Sequence, residues 1–236
     1  MIERDYKIKK EKIKKGGTFN DSPLKVTLGE MRRLYEENPQ LAIRGRHFVK
    51  ELDKYCAEEL RKRLGIPVKD KDEYIKFDYS LYGAYKPKTV DVALVSPEAG
   101  ILALISSKAP VRSINANLDT LCEGLIGDAT NIHDKFPTLV FGFLCLLPKE
   151  EFSDNPERIN FQKMINVLRQ ITGRKDPKEM SGKYERAALI VVDFKKNPPQ
   201  ISEEIPNKNE ESDVRIEGFF DELVQIFKDR NRFIKF

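Results

Sequence analysis

An aspartate, a lysine and a glutamate stand close together in the middle of this chain, between Asp91 and Glu123. Asp91 opens the apolar run VALV. Lys108 closes LALISS, seventeen residues on (108 − 91), and Glu123 follows in a helical stretch. Alone, an aspartate in a strand is ordinarily a solvated side chain, and a lysine at a strand end a solvated terminus. On the paired strands of one hairpin the two can converge at one sheet edge. Carboxylates beside a lysine suit metal-assisted phosphodiester cleavage: the acids hold a divalent cation, and the lysine lies near the attacking water and the scissile phosphate.

The elements that must position these groups can be read from periodicity. Thr27 is a candidate cap for TLGEMRRLYEEN, which stops at Pro39. From Leu41 to Leu64, Phe48, Leu52, Cys56 and Leu60 recur at four-residue spacing, which predicts a long amphipathic helix ended by Gly65-Ile66-Pro67. VKDKDEY then reads as a polar loop. Alternation at Ile75, Phe77 and Tyr79 predicts a half-buried strand. Thr89 to Val95 and Ile101 to Ile105 read as short strands joined by Ser96-Pro97-Glu98-Ala99-Gly100, a link with hairpin chemistry. A helix is expected from about Asn115 to Asp134, capped by Ser113 or Asn115. Thr138 to Leu147, almost unbroken in its apolar character, predicts a central strand covered on both faces. A helix over Asn160 to Ile171, a buried strand over Ala187 to Val192 and a helix over Ile216 to Phe227 complete an α/β order. Gly124 and Gly127 inside the predicted site helix cost stability. They point to close approach by another element, whether the sheet, DNA or a second subunit.

The motif from Asp91 through Ser106-Ser107-Lys108 resembles that of the PD-(D/E)XK nuclease superfamily. There an acid on one strand is followed by (D/E)-X-K on the next, in a core of helix, three strands, helix and strand. That order is similar to the reading from residue 41 to 147. Where the family carries its second acid this chain has Ser106. The departure looks like that of type II restriction endonucleases that read CCGG-containing sites, whose pattern is D…S-X-K…E. Glu123, fifteen residues after Lys108 (123 − 108), falls close to the transposed acid. The resemblance implies that Asp91, Lys108 and Glu123 are catalytic. It also implies that Asp91 and Glu123 hold Mg²⁺, with Ser106 contributing a carbonyl or a hydrogen bond to bound water. Asp119, one turn earlier, is the rival ligand. Glu51 occupies a place where family members often carry a glutamate that touches metal-bound water.

The implied protein is a Mg²⁺-dependent type II restriction endonuclease. It would cut double-stranded DNA at one sequence, as a homodimer. Its fold would be a restriction-endonuclease-like mixed β-sheet flanked by helices, with a helical N-terminal region (1–40) ahead of the nuclease domain (41–236). Arg112, Ser113, Asn115 and Asn117 follow the lysine, and Arg and Asn suit guanine and adenine edges. In the CCGG group an arginine just after the catalytic lysine often reads a base. Arg174 and Lys175 form a second possible base-reading loop, and Arg44-Gly45-Arg46 a possible phosphate contact. Two alternatives keep the fold: a structure-specific or repair DNA nuclease, such as a junction resolvase, and a nuclease-like DNA-binding protein without catalysis.

Composition is compatible with this reading. Charged residues make up 34% of the 236 residues, above the roughly 25% of ordinary soluble proteins. Lys and Glu dominate that excess, as in many heat-adapted proteins. The net charge is only +4, but six lysines crowd Lys7 to Lys15, a solvated helix or a basic arm for phosphate. Three scattered cysteines and two scattered histidines argue against a zinc site or a disulfide framework and fit a reducing cytoplasm. No apolar run has transmembrane length, and no signal-peptide pattern opens the chain.

Overall fold

The computed structural model describes residues 22–38, 46–153, 155–234 and 236. The lysine-rich start and Arg44 lie outside them. The first helix, α1 (Pro23–Glu37), begins four residues before Thr27. Ser22 caps it, its Oγ accepting from the Lys25 N–H at 3.4 Å. Proline at the first helical position has its φ already set, so Ser22-Pro23 starts the helix. Thr27 instead donates back to the Pro23 carbonyl from inside. The next helix, α2 (His47–Leu64), ends at Gly65, whose φ of 74° is the left-handed turn that favours glycine. Part of the predicted polar loop forms a single helical turn, α3 (Lys71–Tyr74).

Six strands form one mixed sheet in sequence order: β1 (Ile75–Tyr82), β2 (Pro87–Ser96), β3 (Gly100–Lys108), β4 (Val140–Pro148), β5 (Arg186–Asp193) and β6 (Gln200–Ile201). The first three are an antiparallel meander. β3, β4 and β5 run parallel, joined through α4 (Ile114–His133) and α5 (Phe161–Ile171), and β6 returns antiparallel. β4 is buried at every position, as its unbroken apolar run predicted. Its alternate residues serve two cores. Val140, Leu144 and Leu146 pack with α1, α2 and the last helix, α6 (Phe219–Arg230). Phe141, Phe143, Cys145 and Leu147 pack with α4 and α5. The architecture is therefore an α/β sheet flanked by helices, and the N-terminal α1 shares the first core. Gly142 lets α6 press on the sheet, since a Cβ there would lie 2.6 Å from Leu223 Cδ1.

Two devices fix α4 against the meander. The Asn131 side chain accepts from the Tyr85 and Lys86 N–H groups and donates to the Lys86 carbonyl, which ties down the β1–β2 turn. Lys88 pairs with Asp128. Gly124 and Gly127 face open space, and no element among the described residues makes the close approach they suggested.

Candidate active site

β2 and β3 pair as far as Val92 opposite Ile105, and there the ladder stops. The Asp91 side chain takes over. Its Oδ2 accepts the Ser107 backbone N–H at 2.9 Å. The carboxylate thus occupies the place of a ladder bond and is only 5% exposed. This is not the solvated strand aspartate that alternation alone would give. Its second oxygen, Oδ1, accepts from Arg46 Nη2 at 2.7 Å. Arg46 also reaches back to β1, with Nη1 2.8 Å from Asp78 Oδ1. Asp78 would stand opposite Asp91 in the β1–β2 register, and it is the one position of β1 where pairing lapses. Like charges directly opposed across a ladder are destabilising; the guanidinium offsets that repulsion.

A cleft of about 590 Å³ opens over these groups, lined by Arg46, Asp91, Ser107, Lys108, Arg112 and Asn117 among others. Lys108 is exposed at the end of β3 and has no ion-pair partner among the described residues. Asp91 and Lys108 therefore do converge, as their spacing on a hairpin predicted. Three cations and one carboxylate give the cleft a positive balance that suits a phosphate group.

Below Ser107 lies Asp53 of α2, whose Oδ1 accepts from the Ser107 hydroxyl. Asp53 is 3% exposed. Burial pushes its carboxyl up to about 7; the Ser107 bond opposes this and the Asp91 charge adds to it. Sequence reasoning missed Asp53 and Asp78. Asp53 had a legible signal, because it falls inside the apolar arc of α2 between Leu52 and Cys56. Asp78 had none, since it alternates like any polar strand residue.

Glu123 does not join the cleft. Ile114, Asn117 and Leu121 of α4 line it. Glu123 is nine residues past Ile114 (123 − 114), which at 3.6 residues per turn places it about 180° round the helix. It is exposed there. The transposed-acid expectation is corrected on this ground. Asp119 is also exposed and paired with Lys163 of α5, so it does not replace Glu123. Glu51 pairs with Lys54 on its own helix and is not among the lining residues. Ser106 is buried with its Oγ lacking a partner among the described residues, and Ser107 rather than Ser106 lines the cleft.

The expected DNA contacts divide. Arg112 is exposed on the cleft wall, its Nε donating to the Phe152 carbonyl at 2.5 Å, and Asn117 lines the same wall. Ser113 is exposed with a left-handed φ of 49° and makes no capping bond. The α4 cap comes instead from Glu151, whose Oε1 accepts the Ile114 N–H at 2.6 Å. Asn115 is spent on structure: it accepts from the Asn160 N–H and donates to the Arg158 carbonyl. Arg174 is a correction. It is 1% exposed, paired with Glu185 at 2.7 Å and bonded to the Pro137 and Pro177 carbonyls. Pro137 lies just before β4, whereas Lys108 pairs with Cys145, five residues beyond the Ala103–Val140 level. At about 3.3 Å per residue the Arg174 loop is thus more than roughly 17 Å from the cleft along the strands. The Lys175 backbone belongs to that same loop, its carbonyl accepting from Arg230.

Among the described residues no group of three or more His, Cys, Asp or Glu side chains is arranged to hold a metal ion. Asp91 remains as the one carboxylate among the described residues that line the cleft, its Oδ1 on the side that meets Arg46. Mg²⁺ is often bound through one or two carboxylates, with waters and substrate phosphate completing its shell. The donor set fits that one-carboxylate mode and does not fit a two-carboxylate cage. No helix among the described residues is long and apolar enough to cross a membrane. No family model, curated protein or solved structure matches the chain.

Proposed function

We propose that the chain is a Mg²⁺-dependent endonuclease of double-stranded DNA, of the type II restriction kind, acting as a homodimer in the cytoplasm. The observation that carries this reading is the convergence of Asp91 and Lys108 in one cation-lined cleft at the point where β2 and β3 part. Asp91 is the residue to hold Mg²⁺, which when bound supplies Lewis-acid polarisation of the phosphoryl group. Lys108, exposed and without an ion-pair partner among the described residues, donates to the scissile phosphate and steadies the charge that develops on it. Arg112 and Asn117 meet the DNA along the α4 wall. Ser107 holds Asp91 rigid through its backbone N–H, so the carboxylate is oriented before substrate arrives. A two-fold dimer suits a palindromic duplex.

Incubation of the protein with phage DNA and Mg²⁺, followed by gel electrophoresis, tests the reading. Discrete bands are expected. A smear would mean a non-specific nuclease, and intact DNA would remove the catalytic reading. Lys108→Ala should lose cleavage and keep DNA binding, and undiminished turnover by this variant would place the chemistry elsewhere. The position of Glu123, away from the cleft, favours a second reading, a DNA-binding protein of this fold without catalysis. Binding without cleavage in Mg²⁺ is its signature.

A further inference from the structure

We infer that Arg46 couples cation binding to DNA binding: in the free protein it holds Asp91, and a DNA phosphate draws it away. The inference rests on the nuclease reading and concerns how that site is controlled.

Asp91 has two oxygens. One is committed to the Ser107 N–H at 2.9 Å, inside the sheet. The other is the oxygen that Arg46 holds at 2.7 Å, on the side of the cleft. A divalent ion and a guanidinium compete for the same carboxylate, because at such separations their charges repel strongly. Arg46 does not rest there by chance, because its second arm is fastened to Asp78 at 2.8 Å, directly across the strand pair. Lys50 stands 3.7 Å from Asp78 and adds to the positive charge over the two acids.

The side chain is nonetheless free to leave. It is 51% exposed, stands at the entrance of α2, and makes no capping bond there. Among the described residues, each of its two contacts goes to a different carboxylate. A phosphate offers the paired oxygens that a guanidinium fork fits best. Arg46 also lines the cleft beside Lys108 and Arg112, where the phosphate would lie. DNA binding would thus uncover Asp91 Oδ1, and a cation bound there would in turn release Arg46 for DNA. Such linkage is reciprocal.

Two measurements test the coupling. Mn²⁺ binding to the DNA-free protein is followed by the electron paramagnetic resonance of free Mn²⁺. Binding of a labelled duplex in EDTA is followed by anisotropy at several salt concentrations. Arg46→Met should bind Mn²⁺ more tightly than the wild type, on the order of tenfold or more, and Arg46→Met/Asp91→Asn should lose that gain. The same Arg46→Met should bind duplex more weakly, with a salt slope shallower by about 0.9, one phosphate contact.

Equal Mn²⁺ affinities in wild type and Arg46→Met would overturn the inference. So would a gain in Mn²⁺ affinity with an unchanged salt slope, because Arg46 would then not pass to phosphate. If Arg46→Met does not fold by circular dichroism, Arg46→Lys serves. It keeps the charge but cannot span both acids, so tighter Mn²⁺ binding with the salt slope kept supports the coupling, and unchanged Mn²⁺ affinity overturns it. Absence of DNA cleavage by the wild type with both arms as expected would fail the nuclease reading alone. Cleavage with equal Mn²⁺ affinities would fail the coupling alone.

Discussion

Replacing Asp53 by asparagine should stabilise the protein, and by an amount that depends on pH. Asp53 sits 3% exposed in the apolar arc of α2, with Ser107 as its hydrogen-bond donor. Its burial moves the carboxyl from an ordinary 3.8 to about 7. The folded chain therefore binds this proton more tightly than the unfolded chain. Stability from this group is complete below about pH 4, falls as pH rises towards 7, and is level above that. At 1.36 kcal/mol for each pH unit between the two values, the loss amounts to about 4 kcal/mol. Asparagine does not titrate and still offers an oxygen to the Ser107 hydroxyl. Asp53→Asn should thus match the wild type near pH 4 and exceed it by up to about 4 kcal/mol at pH 8. Urea unfolding of both proteins between those limits measures the difference, in which titrating groups remote from Asp53 cancel. A difference that stays constant with pH would refute the assignment of a perturbed carboxyl at Asp53.

Three further outcomes are expected. Glu123→Ala should leave Mg²⁺-dependent cleavage within about twofold of wild type, because the side chain lies on the far face of α4 from the cleft; loss of cleavage in the same gel assay would restore the transposed-acid scheme. Glu185→Gln should cost about 3–5 kcal/mol in chemical denaturation, since it leaves the buried Arg174 and Arg230 guanidiniums without their anion. Burial alone would push the Glu185 carboxyl up, but His133, the Phe141 N–H and Arg230 hold it below its ordinary range. Gly142→Ala should cost about 1–3 kcal/mol by thermal or urea unfolding, because its methyl would meet Leu223.

Much of the fold could be read from local pattern. The apolar run of β4 predicted a strand buried on both sides, and the four-residue spacing of Phe48, Leu52, Cys56 and Leu60 predicted α2. In the site, Asp91 and Lys108 were legible because a hairpin brings its two strands together whatever surrounds it. The contribution of Glu123 was not, because spacing along the chain does not say which face of α4 turns to the cleft. That face is set by Ile114, Leu118, Cys122 and Leu125 packing against the sheet. Arg174 looked like an exposed loop arginine, and its burial depends on Glu185, eleven residues later, entering the same space. The cap of α4 was equally hidden, since Glu151 is 37 residues away from Ile114. Asp53 is the instructive miss: a carboxylate within an apolar helical stripe is a local signal, although its partner Ser107 is distant.

The left-handed turn of the backbone at Asp78, with φ of 49°, has an effect on the outside of the molecule as well. β1 is the first strand of the sheet, and one of its edges meets no other strand among the described residues. An intact edge of eight residues would offer a template on which another chain could grow a cross-strand assembly. The kink at Asp78 interrupts that edge near its middle and places a charge there, so neither half is long enough or flat enough to seed ordered stacking. The residue that brings Arg46 over the cleft thereby also breaks up the strand edge on which copies of the chain could stack.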